Sequence, residues 1–155
     1  MYKRQVDDRT HILYVAEEDV GLWRFDARAG GSTAPTKIAA ADGKQLVMDA
    51  EGVAIAPVGD KGGYVLVSSQ GDNAYTLYAL ADDRYVGRFR VVDGAIGGSE
   101  ETDGIELMLG DFGPAYQGGL FIAQDGHNAA AAQNFKLVAW DDIAKALNLP
   151  KQPAR

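Results

Sequence analysis

The amino-acid sequence predicts an all-β protein, a β-propeller, with one short helix close to its carboxy-terminal end. Two observations carry the prediction. Short strand-like runs alternate with glycine-rich turns, and a unit of about four such runs recurs with a shift of 52 to 55 residues. A third observation bounds it: 155 residues, 46% hydrophobic and 24% charged, are the values of one ordinary globular domain.

The runs "HILYVAEE" (11–18), "EGVAIAPV" (51–58), "GYVLVSSQ" (63–70), "AYTLYAL" (74–80), "YVGRFRVV" (85–92), "GIELML" (104–109), "GLFIAQ" (119–124) and "NFKLVAW" (134–140) are rich in Val, Ile, Leu, Tyr and Phe. These residues fit a pleated, half-buried surface. Only "DDIAKALNLP" (141–150) has a helical pattern. There Asp141 is placed to cap, Ile143, Ala146 and Leu147 form a short stripe, and Pro150 closes the segment.

The repeat is visible residue by residue. "EGVAI" at 51–55 matches "DGIEL" at 103–107, and "YVAEE" at 14–18 falls on "LVSSQ" at 66–70. "YVLVSSQGDN" at 64–73 lines up with "GLFIAQDGHN" at 119–128, with Gly71 over Gly126 and Asn73 over Asn128. Each unit continues into an aromatic run: "LWRF" (22–25), "YTLY" (75–78) and "FKLV" (135–138). A β-sandwich with look-alike hairpins would share the composition, but matched glycine and polar positions at a constant shift favour the propeller. Three periods are fewer than the four to eight on which propellers close. The expected organisation is therefore an unmatched start at 1–9, a partial propeller over 10–149 and a tail at 150–155. An open array leaves strand edges and apolar faces uncovered, which predicts self-association through that edge.

A net charge of −7 and an isoelectric point near 4.7 argue against nucleic acid, whose phosphates need a basic face. There is no Cys, which excludes disulfides, thiolate metal sites and a Cys nucleophile. No run approaches the roughly 20 apolar residues of a membrane helix. Neither a G-x-S-x-G elbow nor a G-x-x-x-x-G-K-[ST] phosphate loop occurs, and the Gly-rich loop "DGAIGGSEETDG" (93–104) is acidic. With only His11 and His127, zinc and copper are poorly supplied.

The polar residues that the repeat aligns are acidic or amide. Glu18 and Gln70 both end the second run of a unit; Asp49, Glu51 and Asp103 lead into the first. Equivalent positions in successive blades converge on a propeller's axis. Asp49 and Glu51, two apart on an extended chain, share a face, where two carboxylates repel unless a cation or a shared proton compensates. The set therefore reads as an arc of oxygen ligands for a hard cation, Ca²⁺ above all. Taken singly, acidic residues before Gly also read as turn formers and strand-edge solubilisers.

"LYVAEEDVGLWRF", "DAEGVAI", "GGYVLVSSQGDNAYTLY", "TDGIEL" and "GGLFIAQDGHN…QNFKLVAW", in this order, closely resemble the carboxy-terminal half of the β-propeller phytases, from about residue 10 to 147. The resemblance implies about three blades of a six-bladed, calcium-dependent enzyme, secreted or periplasmic, that removes phosphate from phytate (inositol hexakisphosphate). It implies that Glu18, Asp49, Glu51 and Asp103 line a calcium-loaded catalytic centre, with Gln70 a ligand or neighbour there. Asp125 and Asn128 match a peripheral calcium site. The loop 93–104 is one residue shorter than the family's usual form, with Ile96, Gly97 and Gly98 where a further Asp is common. The Lys and Arg residues that grip substrate phosphates belong to the family's amino-terminal blades. The implied chemistry is hydrolysis of phosphate monoesters by metal-activated water. A non-catalytic, calcium-stabilised propeller module is the alternative.

Overall fold

A computed structural model describes residues 2–128 and 130–150; residues 151–155 of the expected tail lie outside the described residues. Three antiparallel sheets follow one another along the chain. The first joins β1 (Tyr2–Asp7), β2 (Ile12–Glu17), β3 (Gly21–Asp26) and β4 (Thr36–Ala40) in that order. The second joins β5 (Ala50–Val58), β6 (Gly62–Ser69), β7 (Ala74–Ala79) and β8 (Tyr85–Phe89). The third has β10 (Leu120–Asp125) between β9 (Ile105–Met108) and β11 (Asn134–Ala139), and α1 (Trp140–Ala146) follows. The all-β reading with one late helix holds, and the three repeat units correspond to the three sheets.

The second sheet lies between the other two because both of its faces are apolar. Along β5, Val53 and Ile55 point one way and Ala54 and Ala56 the other; along β6, Val65 and Val67 oppose Leu66. Val53, Ile55, Val65, Val67 and Tyr78 close a core with Tyr14, Ala16 and Leu22 of the first sheet. Ala54, Ala56, Leu66, Tyr75 and Leu77 close another with Leu107, Phe121 and Ala123 of the third sheet and Trp140 and Ile143 of α1. Every residue of β7 is buried, the pattern of a strand covered on both sides.

Four elements differ from the sequence reading. The opening residues, set apart as unmatched, pair along β2 from Tyr2↔Glu17 to Asp7↔Ile12 and begin the first sheet. β4 carries too little apolar signal to have been read: of its five residues only Ala39 is buried. His11 lies in the turn before β2 with φ of 56°, not in a strand. The helix starts at Trp140 with Ala139 at its N-cap, so Asp141 occupies the first turn, where its charge favours the helix dipole without capping. It ends at Ala146, and Asn148 takes the left-handed conformation (φ 51°) that stops a helix before Pro150 is reached.

One hydrogen-bonded knot fixes the loop between β8 and β9. The Tyr75 hydroxyl, buried, shares hydrogen bonds of 2.7 Å with Ser99 Oγ and Thr102 Oγ1, and Ser68 Oγ donates to the Thr102 carbonyl at 2.8 Å. Asp103, next in the chain, is thereby anchored to the second sheet as well as to its own.

Phe121 is fully buried and meets Tyr75 and Phe89 edge-on, with centroids 5.1 and 5.5 Å away. Replacing it with Ala leaves a cavity between the second and third sheets. The expected loss is about 3–5 kcal/mol, read as a lower urea midpoint with an unchanged slope.

Candidate functional site

The residues singled out by the repeat sit at the ends of strands in three different sheets. Glu18 follows β2, Asp49 precedes β5 and Glu51 lies in it, Gln70 follows β6, and Asp103 precedes β9. Main-chain bonds stitch these ends together: the Ala50 amide donates to the Glu18 carbonyl at 2.8 Å, and the Gln70 amide to the Asp49 carbonyl at 2.9 Å. Close approach of the second and third sheets requires Gly52. A Cβ there would stand 2.7 Å from the Ile105 nitrogen and 3.1 Å from the Asp103 carbonyl oxygen.

Asp49 and Glu51 stand in different local settings at the start of β5. Pairing of β5 with β6 steps from Ala50↔Ser69 to Val53↔Val67, so one extra residue is accommodated around Glu51 and Gly52. The bulge puts Ala50 and Val53, three apart, in the same core and interrupts the alternation beyond Glu51. Glu51 is 4% exposed, whereas Asp49 is half-buried. Burial pushes the Glu51 carboxyl above the ordinary value of 4.5, opposed by Lys3 and reinforced by the charges of Asp103 and Glu18. The carboxylates weighing most on Glu51 thus come from the other two sheets.

Lys3 Nζ stands 3.5 Å from Glu51 Oε2, yet that buried oxygen has no hydrogen bond. Gln70 donates from Nε2 to Asp103 Oδ1 at 2.8 Å, and the Asp103 amide donates to Gln124 Oε1 at 2.8 Å. Carboxylate and amide oxygens are the donors that a hard cation takes. Among the described residues no three acidic or histidine side chains converge to chelating distance. These residues therefore fit such an ion in kind, through a buried Glu51 oxygen that the Lys3 ammonium approaches only to 3.5 Å, while remaining spread over three sheets.

The second set fits a cation poorly. Asp125 is 2% exposed and already holds an ammonium: Lys136 Nζ lies 3.1 Å from Oδ2. Its other oxygen accepts the Glu100 amide at 3.0 Å. Burial works against its ionisation, but the Glu100 amide and Lys136 together hold its carboxyl below the usual value of 3.8. Asn128 donates from Nδ2 to the Ala132 carbonyl of its own loop at 2.8 Å. Both residues line a cleft of about 760 Å³ with Arg90, Ser99, Glu100 and His127, and none of Glu18, Asp49, Glu51 or Asp103 borders it.

Sequence reasoning missed Lys3, Gln124 and Lys136. It also passed over Arg88 and Arg90, which both pair with Asp72 beside the Gln70 turn. The repeat itself pointed to Gln124, which a shift of 55 places over Ser69. Lys136 carried no signal, because one Lys in an exposed-looking strand gives no hint of a buried partner.

Two stability predictions follow from the opposite shifts of two carboxyls. A buried pair broken on one side leaves an uncompensated charge, so Lys136→Met should cost about 3 kcal/mol in denaturant unfolding at pH 7. The Asp125 contribution is fully present above pH 3.8 and is lost as pH falls through its lowered folded value, so the variant and the parent should converge in acid. Glu51 has the reverse sign. Its raised value favours the folded state below pH 4.5 and costs stability as pH rises through it. Glu51→Gln should therefore unfold at a higher temperature than the parent at pH 7 in chelator, with the gap closing near pH 4.

The model of the Phytase family matches residues 4–152. The chain is also 42% identical over 147 residues to the 3-phytase of Bacillus subtilis (strain 168), an alignment covering 91% of this chain and 38% of that protein. The chain thus spans about two-fifths of the length of that relative. A match running across all three sheets, at this level of identity, means that the chain belongs to the Phytase family.

Proposed function

We propose that this chain forms part of a calcium-dependent phytase that hydrolyses phosphate monoesters of phytate or other inositol phosphates, and that its three sheets are three blades of a six-bladed propeller. The observation that carries the reading is the family match, which runs through the carboxylate-bearing strand ends of all three sheets. The B. subtilis relative is a 3-phytase, which gives the reaction class. Apolar outer faces on both terminal sheets support further blades: Val6, Leu13, Val15, Trp23 and Phe25 on the first, Met108, Phe135 and Leu137 on the third. The protein is exported, secreted or periplasmic, as its resemblance to bacterial propeller phytases implies.

Glu18, Asp49, Glu51 and Asp103 hold the metal in this reading. Calcium supplies charge neutralisation for the phosphate oxygens and a more acidic bound water. Without a cation, the charges of Glu18, Glu51 and Asp103 repel a polyphosphate, so the empty centre opposes its own substrate. Gln70, whose Nε2 is committed to Asp103, keeps its Oε1 for an ion or a water. Burial of Glu51 keeps that carboxylate dry, where its charge acts most strongly. Arg88 and Arg90 share the single carboxylate of Asp72; in this reading the cations that grip the remaining phosphates come from other blades.

The test is phosphate release from phytate, with calcium and with EGTA. It is run on this chain alone and on this chain fused to the part of the B. subtilis relative that it does not match. The fusion is expected to release phosphate only with calcium, and the isolated chain to turn over slowly. Asp49→Asn or Glu51→Gln in the fusion should lower the rate at least ~100-fold. Full activity in EGTA would sink the reading. Calcium binding by the folded fusion without any turnover would favour a calcium-stabilised scaffold instead.

A further inference from the structure

The Asp103 carboxylate is exposed and rides on the loop that leads into β9, so something must hold that loop in place. We propose that Gln124 is the residue that positions Asp103, acting through the main chain and braced by Gln133. This rests on the reading of Asp103 as a metal-holding carboxylate.

Gln124 grips the segment at two points. Its Oε1 accepts the Asp103 amide at 2.8 Å, and its own main-chain amide donates to the Gly104 carbonyl at 2.9 Å. The side-chain orientation is fixed by its partners. The main-chain N–H of Asp103 requires an acceptor, so the amide oxygen must face it and Nε2 must point away. Nε2 then donates to Gln133 Oε1 at 3.4 Å, and Gln133 Nε2 donates to the Gly126 carbonyl at 3.2 Å. From the other side Gln70 donates to the Asp103 carboxylate. Three glutamines therefore set Asp103: one on its carboxylate, one on its amide and one bracing the second.

The repeat supplies an independent parallel. Ser69, over which Gln124 falls at a shift of 55, accepts the Val47 amide on Oγ at 2.9 Å, two residues ahead of Asp49. In both sheets a polar side chain near the end of the second strand takes a main-chain N–H from the segment that delivers an acidic residue to the site. Glutamine replaces serine where the segment to be reached belongs to a longer loop.

The test compares Gln124→Leu, Gln124→Glu and Asp103→Asn in the full chain, by calorimetric titration with calcium and by thermal unfolding in EDTA. Gln124→Leu is expected to weaken calcium binding ~10–100-fold while leaving the metal-free midpoint nearly unchanged. Gln124→Glu keeps an acceptor for the Asp103 amide and should retain affinity within a few-fold. Asp103→Asn should lose binding outright. Wild-type affinity in Gln124→Leu, with binding lost in Asp103→Asn, would overturn the role of Gln124 alone. Equal losses of affinity and metal-free stability in both Gln124 variants would make it merely structural. Absence of calcium binding by the parent chain would overturn this inference together with the metal reading on which it rests.

Discussion

The second sheet is buried on both faces, and the placement of every site residue depends on that constraint. A strand with one wet face can slip or twist at modest cost; β7, with no exposed residue, cannot. The same sheet packs on both sides through side chains that alternate along β6 and along β5 from Val53 onward. Register is then fixed for all three sheets, and so are the strand ends that carry Glu18, Glu51, Gln70 and Asp103. Gly52 adds the last increment, because only a residue without Cβ lets β5 come so near the start of β9.

Two buried carboxylates show how differently this chain treats charge. Asp125 is matched by Lys136, itself buried, and by a main-chain amide, so its ionised form is comfortable. Glu51 has only the partly exposed ammonium of Lys3, at a distance where one of its oxygens stays without a hydrogen bond, and two further negative charges nearby. Folding thus satisfies one carboxylate internally and leaves the other in deficit. A deficit of that kind marks a place where an external cation is worth more than any side chain the chain supplies. The two carboxylates differ in their partners: Lys136 and a main-chain amide for Asp125, the more distant Lys3 for Glu51.

Much of the fold was legible because β-strand composition, glycine turns and the repeat all agree. Where one signal was weak, the others had to carry the element. β4 has only one buried residue and no aromatic, so nothing marked it. β1 is the instructive case: carrying residues 54–58 of β5 back by 52 lands on 2–6, within Tyr2–Asp7. The repeat already contained that strand, and the polar composition of "YKRQVD" hid it. For the site, residue type and repeat position were legible, but side-chain direction was not. A bulge is a pairing event between two strands, and no periodicity within one strand announces it. Hence neither the bulge at Glu51 and Gly52 nor the deeper burial of Glu51 relative to Asp49 was legible.

Gln124 shows the limit from the other side. Its chemistry is neutral, so a search for carboxylates, histidines or basic clusters passes over it. What gives it meaning is a partner 21 residues away whose main-chain N–H would otherwise face water. Main-chain donors are invisible in a sequence because every residue but proline has one. A repeat makes some of them visible again: when Ser69 takes a main-chain N–H ahead of Asp49, the position aligned with it becomes a candidate for the same work. Internal repetition thus turns one solved contact into an expectation for the next sheet. Residues that merely brace a site are the ones for which that expectation is most useful, since nothing in their own chemistry advertises them.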